Sequence, residues 1–177
     1  MLRGKLQPDD QLFINTTGHG GNHDDGRGPF LLAYPNFDHY KVDEFCADLA
    51  RLPPHRSLLV LMSQCYSGGF NQAVIGASNA KVTFIASAAG ERDCSHAAPD
   101  DANWDSFERD WIAALARHDV HGSVLTRNPD ENGDNQIDAR EAFDYADDPT
   151  FRNPRDVPVF AENSVAAEEI TLGPQND

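Results

Sequence analysis

The chain has 177 residues, 29 of them acidic against 14 basic, and a net charge of −15. Such a balance argues against nucleic acid and against insertion into or binding of anionic membranes, and no stretch reaches the roughly 18 apolar residues of a membrane span or forms a signal-peptide core. Apolar content of 40% over this length suits one α/β domain with a sizeable core, while three cysteines leave no disulfide framework to read.

After a polar start, Gln11–Thr17 reads as a short strand with Leu12, Phe13 and Ile14 as its apolar part, ending in Gly18-His19-Gly20-Gly21. Residues 22–39 read as a loop with a short apolar piece, Phe30–Tyr34. His19 and His23 with Asp24 and Asp25 sit in a glycine-rich segment, where spacing fixes no convergence, so they read as loop residues rather than a zinc site. From Lys41 to Leu52, Val42, Phe45, Cys46, Leu49 and Leu52 recur at helical spacing until Pro53-Pro54 stops the helix. Cys46 lies on that apolar face and reads as core.

Leu58–Met62 is continuously apolar, as expected of a parallel strand buried on both faces. Cys65 follows where the strand leaves the sheet, and Ser67-Gly68-Gly69 lets the backbone turn. The carboxyl ends of strands are where open α/β sheets bind ligands and do chemistry. Cys65 there is a candidate nucleophile rather than a packing residue, and His19, at the end of the first strand, is its candidate general acid or base. A thiol beside an imidazole is expected to have a lowered pKa and to alkylate ahead of Cys46.

Phe70–Ala77 reads as a short helix and Lys81–Ser87 as the next parallel strand. The loop Ala88–His96 leaves the same rim; Cys94 within it, with no base beside it in sequence, reads as incidental. Residues 104–117 form an amphipathic helix whose aromatic stripe reads as core. Asp130–Glu141 then places oxygen side chains at positions 1, 3, 5, 9 and 12 of a twelve-residue loop, the pattern of an EF-hand or dockerin-like calcium loop. Its expected Ca2+ ligands are Asp130, Asn132, Asp134, Asp138, Glu141 and the Gln136 carbonyl, with Asn135 taking the left-handed position usually held by glycine. Asp138-Ala-Arg-Glu141 is also a capping box for the helix through Ala146. Such a loop favours a structural clip and an extracytoplasmic compartment. In the tail, Val157–Phe160 and Glu169–Leu172 are short extended candidates.

Three segments together carry a resemblance: Phe13–Gly21, Leu58–Phe70 and Val82–Glu91 resemble the caspase-like (clan CD) cysteine peptidases, most of all the legumain, or C13-like, branch and its bacterial relatives. The resemblance implies a caspase-like three-layer α/β sandwich with a mostly parallel central sheet and a cysteine endopeptidase acting on protein or peptide substrates. It implies His19 and Cys65 as the catalytic dyad, the backbone N–H groups of Gly20 and Cys65 as the oxyanion hole, and Ser63, Ser95 and Asn103 facing the specificity pocket. The legumain branch carries acidic residues directly before the histidine and two before the cysteine; here Gly18 and Ser63 stand there, so the pocket is expected to be polar and nearly uncharged. The resemblance also implies a strand and helix before the histidine strand, which this sequence lacks, so that strand is expected to show an open edge. Two other classes fit the same residues: a catalytically inactive calcium-binding interaction domain derived from such a peptidase, and a peptide ligase or transpeptidase.

Overall fold

The computed structural model describes residues 4–23, 26–163 and 170–171. A four-stranded sheet in the order β1-β5-β6-β7 carries the molecule, built from β1 (Gln11–Thr16), β5 (His55–Met62), β6 (Ala80–Ser87) and β7 (Val159–Glu162). The first three run parallel and β7 closes one side antiparallel to β6. Among the described residues β1 forms the other edge and pairs with β5 alone, Leu12 opposite Leu58 and Thr16 opposite Met62.

Side-chain alternation along β5 and β6 explains the layers. Leu58, Val60, Met62 and Ile85 face one side, where they pack with Phe45 and Leu49 of α1 (Val42–Leu49) and Val74 of α2 (Asn71–Ala77). Leu59, Leu61, Phe84 and Ala86 face the other side. There they meet Phe107 and Trp111 of α3 (Ser106–Ala116) and Ala142 and Phe143 of α4 (Ala139–Ala146). A strand with two buried faces has no polar residue to alternate, which is why Leu58–Met62 is apolar throughout. The result is the three-layer α/β sandwich with a mostly parallel sheet that the resemblance implies.

Residues 22–39 are not the expected loop. β2 (Gly20–His23), β3 (Gly28–Ala33) and β4 (Asp38–Lys41) form a three-stranded antiparallel sheet. Its strands are short and include three glycines and two histidines, so they carry little of the period-two hydrophobicity that marks a strand in sequence. Its packing comes from rings instead: Phe30 stacks on His39 at 3.8 Å between centroids and His23 tilts against Phe30 at 4.6 Å. Asp24 and Asp25 lie outside the described residues, and His23 faces His39, with 3.3 Å between ring nitrogens.

In the tail, the extended piece is β7, two residues later than expected, and Thr171 bridges Asp138. Glu169 and Leu172 lie outside the described residues. Among the described residues no helix is long and apolar enough to cross a membrane.

Candidate active site

Two turns at the carboxyl end of the sheet build the site. β1 ends at Thr16, and Gly18 bends the chain at φ 126°, a value that side chains avoid, to present His19 ahead of β2. β5 ends at Met62 and passes through Ser63 and Gln64 to Cys65. Tyr66 then takes a left-handed conformation (φ 62°) before the 3-10 turn Ser67–Phe70. A tyrosine held there stores of order 1 kcal/mol of backbone strain. Two contacts hold it: the Tyr66 N–H donates to the Asp93 carbonyl (2.8 Å) and the Gly68 N–H to the Ala89 carbonyl (2.9 Å). A Cβ on Gly68 would meet that same carbonyl at 2.9 Å and Val159 at 2.7 Å, so the glycine is needed for the close approach.

The histidine turn is packed directly onto the cysteine turn. A Cβ on Gly20 would stand 2.3 Å from the Cys65 carbonyl oxygen, inside any permitted contact. His19 accepts the Leu32 N–H (3.0 Å). The pair His19–Leu32 is therefore the hydrogen-bonded one, and the next pair, Gly20–Leu31, is not. The Gly20 N–H consequently points away from β3, off the free edge of its sheet.

His19, Cys65, Ser63, Ser95 and Asn103 all line one open cleft of about 310 Å³. With Gly20 packed against Cys65, the candidate catalytic, oxyanion and substrate-binding residues occupy one region of the surface. Residues without a sequence signal join them. Asp105 and His96 line the same cleft, as does Trp104, 43% exposed and apart from the buried stripe of Phe107 and Trp111.

The cleft is not as free of charge as expected. Ser63 donates its hydroxyl to Glu108 Oε2 (2.8 Å), and Asn15 Nδ2 holds the other oxygen of that carboxylate (2.7 Å). Ser95 donates to Asp105, whose other oxygen caps α3 by accepting the Glu108 N–H (2.9 Å). Burial pushes the Asp105 carboxyl up to about 6, against the pull of its hydrogen bonds. The missing acid two residues before the cysteine thus has a neighbour in its place, brought from α3. Sequence distance hides it: Glu108 lies 45 residues from Ser63. His96 Nδ1 stands 2.8 Å from the buried Asp156 carboxylate, which orients the ring from behind.

The Cys65 thiol departs from expectation in the same way. Burial, then a hydrogen bond with the Cys94 thiol, push it up to about 11, while the Ser95 N–H pulls the other way. The expected lowering does not occur because burial and a second thiol beside it disfavour the thiolate. Cys94 is therefore not incidental. Cys46 packs at the margin of the α1–α2 core, and burial raises its thiol as well.

The acidic loop lies away from the cleft. Asp130 accepts the Gly133 and Asn135 N–H groups (2.7 and 3.0 Å), and Asn135 is left-handed at φ 64°. Asp134 accepts from Gln136 (2.8 Å), and Asn132 from Asp134 (2.8 Å). Asp138 and Glu141 close the capping box at the start of α4, and Glu141 also accepts from Glu131 and Asn132. Among the described residues no three His, Cys, Asp or Glu side chains converge as a metal-holding group. The loop is closed by its own backbone N–H groups donating to these side chains.

None of the individually curated proteins matches the chain. The model of the peptidase C13 family matches residues 5–148, which span β1 to α4 and every residue of the cleft. With the match covering most of the chain, the cysteine turn and the histidine turn included, the protein belongs to the peptidase C13 family.

Proposed function

We propose that this chain is a cysteine endopeptidase in which Cys65 attacks the scissile carbonyl and His19 manages the protons. What supports this is one arrangement: two strand-end turns packed so tightly that Gly20 admits no side chain against Cys65, with His19 and Cys65 lining one cleft. The thiol proton passes to His19 as sulfur bonds to carbon, and the imidazolium returns it to the leaving amine. The Gly20 and Cys65 N–H groups receive the oxyanion; such donors contribute about 3–4 kcal/mol each in comparable chemistry. Water then releases the acyl group. A resting thiol pushed up to about 11 makes base assistance necessary, since little thiolate is present beforehand.

The pocket chemistry narrows the substrate. Ser63 commits its one proton to Glu108 or the Thr16 carbonyl and Ser95 to Asp105, so both hydroxyls are left as acceptors in the cleft, beside Asp105. An acceptor-rich pocket suits a substrate side chain that donates hydrogen bonds, a carboxamide or a cation, and disfavours a carboxylate. Cleavage of a degenerate peptide library by reduced protein, with product termini read by mass spectrometry, tests both parts. Cuts after acidic residues would contradict the pocket reading.

We also propose that Ca2+ binds the loop 130–141. Asp130, Asn132, Asp134, Asp138 and Glu141 with the Gln136 carbonyl supply the hard oxygen donors that cation takes. Support comes from the left-handed Asn135 and its bond to Asp130, which give the loop its tight turn. Each carboxylate retains lone pairs beyond those used by backbone N–H groups.

A further inference from the structure

Cys65 and Cys94 are brought together by the backbone, not by chance contact of side chains. The segment after β5 and the segment after β6 run antiparallel: Gly68 bonds to Ala89, and Tyr66 to Asp93. The Tyr66–Asp93 bond joins the peptide link between residues 65 and 66 to the one between residues 93 and 94, which sets Cys65 beside Cys94. A disulfide spans about 4.4–6.8 Å between Cα atoms, the reach of residues that flank one backbone hydrogen bond. Both thiols are free and half-buried, and Cys94 is near enough to raise the Cys65 thiol. Cys46 lies elsewhere, against the core of the α1–α2 layer.

We propose that Cys65 and Cys94 form a reversible disulfide under peroxide, which makes Cys94 the resolving thiol of a redox modification site. The sulfur that ionises first attacks one peroxide oxygen and expels hydroxide, becoming a sulfenic acid. The other sulfur attacks it and expels a second hydroxide. Two S–H groups and one peroxide become one S–S bond and two waters. The bond ties up the sulfur on which the peptidase reading depends and shields it from sulfinic and sulfonic oxidation, while a dithiol restores it. Formation of the bond rests on the backbone contact between the two loops; only its effect on catalysis rests on the proposed function.

The test is peroxide treatment of the whole protein, followed by tryptic mapping without reductant. Cleavage after Arg56, Lys81, Arg92 and Arg109 puts the two cysteines in separate peptides, 57–81 and 93–109, with Cys46 in a third. The expected result is loss of two of the three free thiols, a 57–81/93–109 cross-link, and its disappearance with dithiothreitol. Cys94→Ser and Cys94→Ala should give no cross-link and carry Cys65 to the sulfinic acid, while Cys46→Ser should cross-link as the wild type does. Sulfinic acid at Cys65 in the wild type at the rate seen in Cys94→Ser, or a cross-link that uses Cys46, would overturn the pair. A cross-link in a protein that cleaves no peptide upholds the pair and removes the catalytic reading instead. Peptide cleavage that survives peroxide in a protein without a cross-link does the reverse.

Discussion

A Cβ placed on Gly20 would lie 2.3 Å from the carbonyl oxygen of Cys65. This contact couples the turn that carries the histidine to the turn that carries the cysteine. Gly20→Ala should therefore move one turn against the other while leaving the two core layers intact. The expected outcome is a fall in kcat/KM of at least tenfold with far-ultraviolet dichroism unchanged, because a displacement of about 1 Å at a reacting centre is worth about a hundredfold. Full activity in Gly20→Ala would show that the two turns need not touch.

The Cys65 thiol should titrate high. Iodoacetamide alkylation of Cys65, followed by peptide mapping against pH, should climb only above pH 9 toward a midpoint near 11. Removing the partner thiol by Cys94→Ser should move that midpoint down, since a hydrogen bond to Cys94 is part of what raises it. A wild-type midpoint below the ordinary thiol value of about 8.5 would contradict the arrangement described.

Asp105 makes stability depend on pH in a stated direction. Its carboxyl is raised from 3.8 to about 6 by burial, so between those values the folded protein holds a proton that the unfolded chain has released. Its contribution is fully present below pH 3.8 and is lost as pH rises through 6. Asparagine keeps the cap of α3 without titrating. Denaturant melts should therefore show wild type losing about 2 kcal/mol relative to Asp105→Asn between pH 4 and pH 7. A difference that stays flat, or grows in favour of wild type, would place Asp105 in a more hydrated setting.

Much of this was legible in the chain. A continuous apolar run bounded by polar residues announces a strand buried on both faces, and Gly18-His19-Gly20 and Cys65 announce the two turns. What stayed hidden depends on long-range pairing. Glu108 reaches Ser63 because α3 packs on β1, Phe13 stacking on Trp111 (5.8 Å) and Asn15, next to the end of β1, holding the Glu108 carboxylate. Cys94 reads as incidental until the loop after β6 is zipped to the cysteine turn. The small sheet β2-β3-β4 is invisible to hydrophobic periodicity because glycine, histidine and backbone pairing build it.

Calcium should act through the loop 130–141. Four acidic side chains there gain from a cation that binds only the folded form, by about 2.7 kcal/mol at a hundredfold excess over the dissociation constant. Thermal melts with calcium, magnesium and chelator should show a rise with calcium, little with magnesium, and none in Glu141→Gln. An unmoved wild-type midpoint would leave the loop as a capped turn.

The central claim is that Cys65 and His19 act together on a peptide bond. The direct measurement is kcat/KM on the best peptide from the library, with fully reduced wild type, Cys65→Ala and His19→Ala, each checked for an unchanged melting profile. No turnover is expected with Cys65→Ala, and a loss of about 10²–10⁴-fold with His19→Ala. Turnover with Cys65→Ala, undiminished turnover with His19→Ala, or a wild type that cleaves nothing would contradict it.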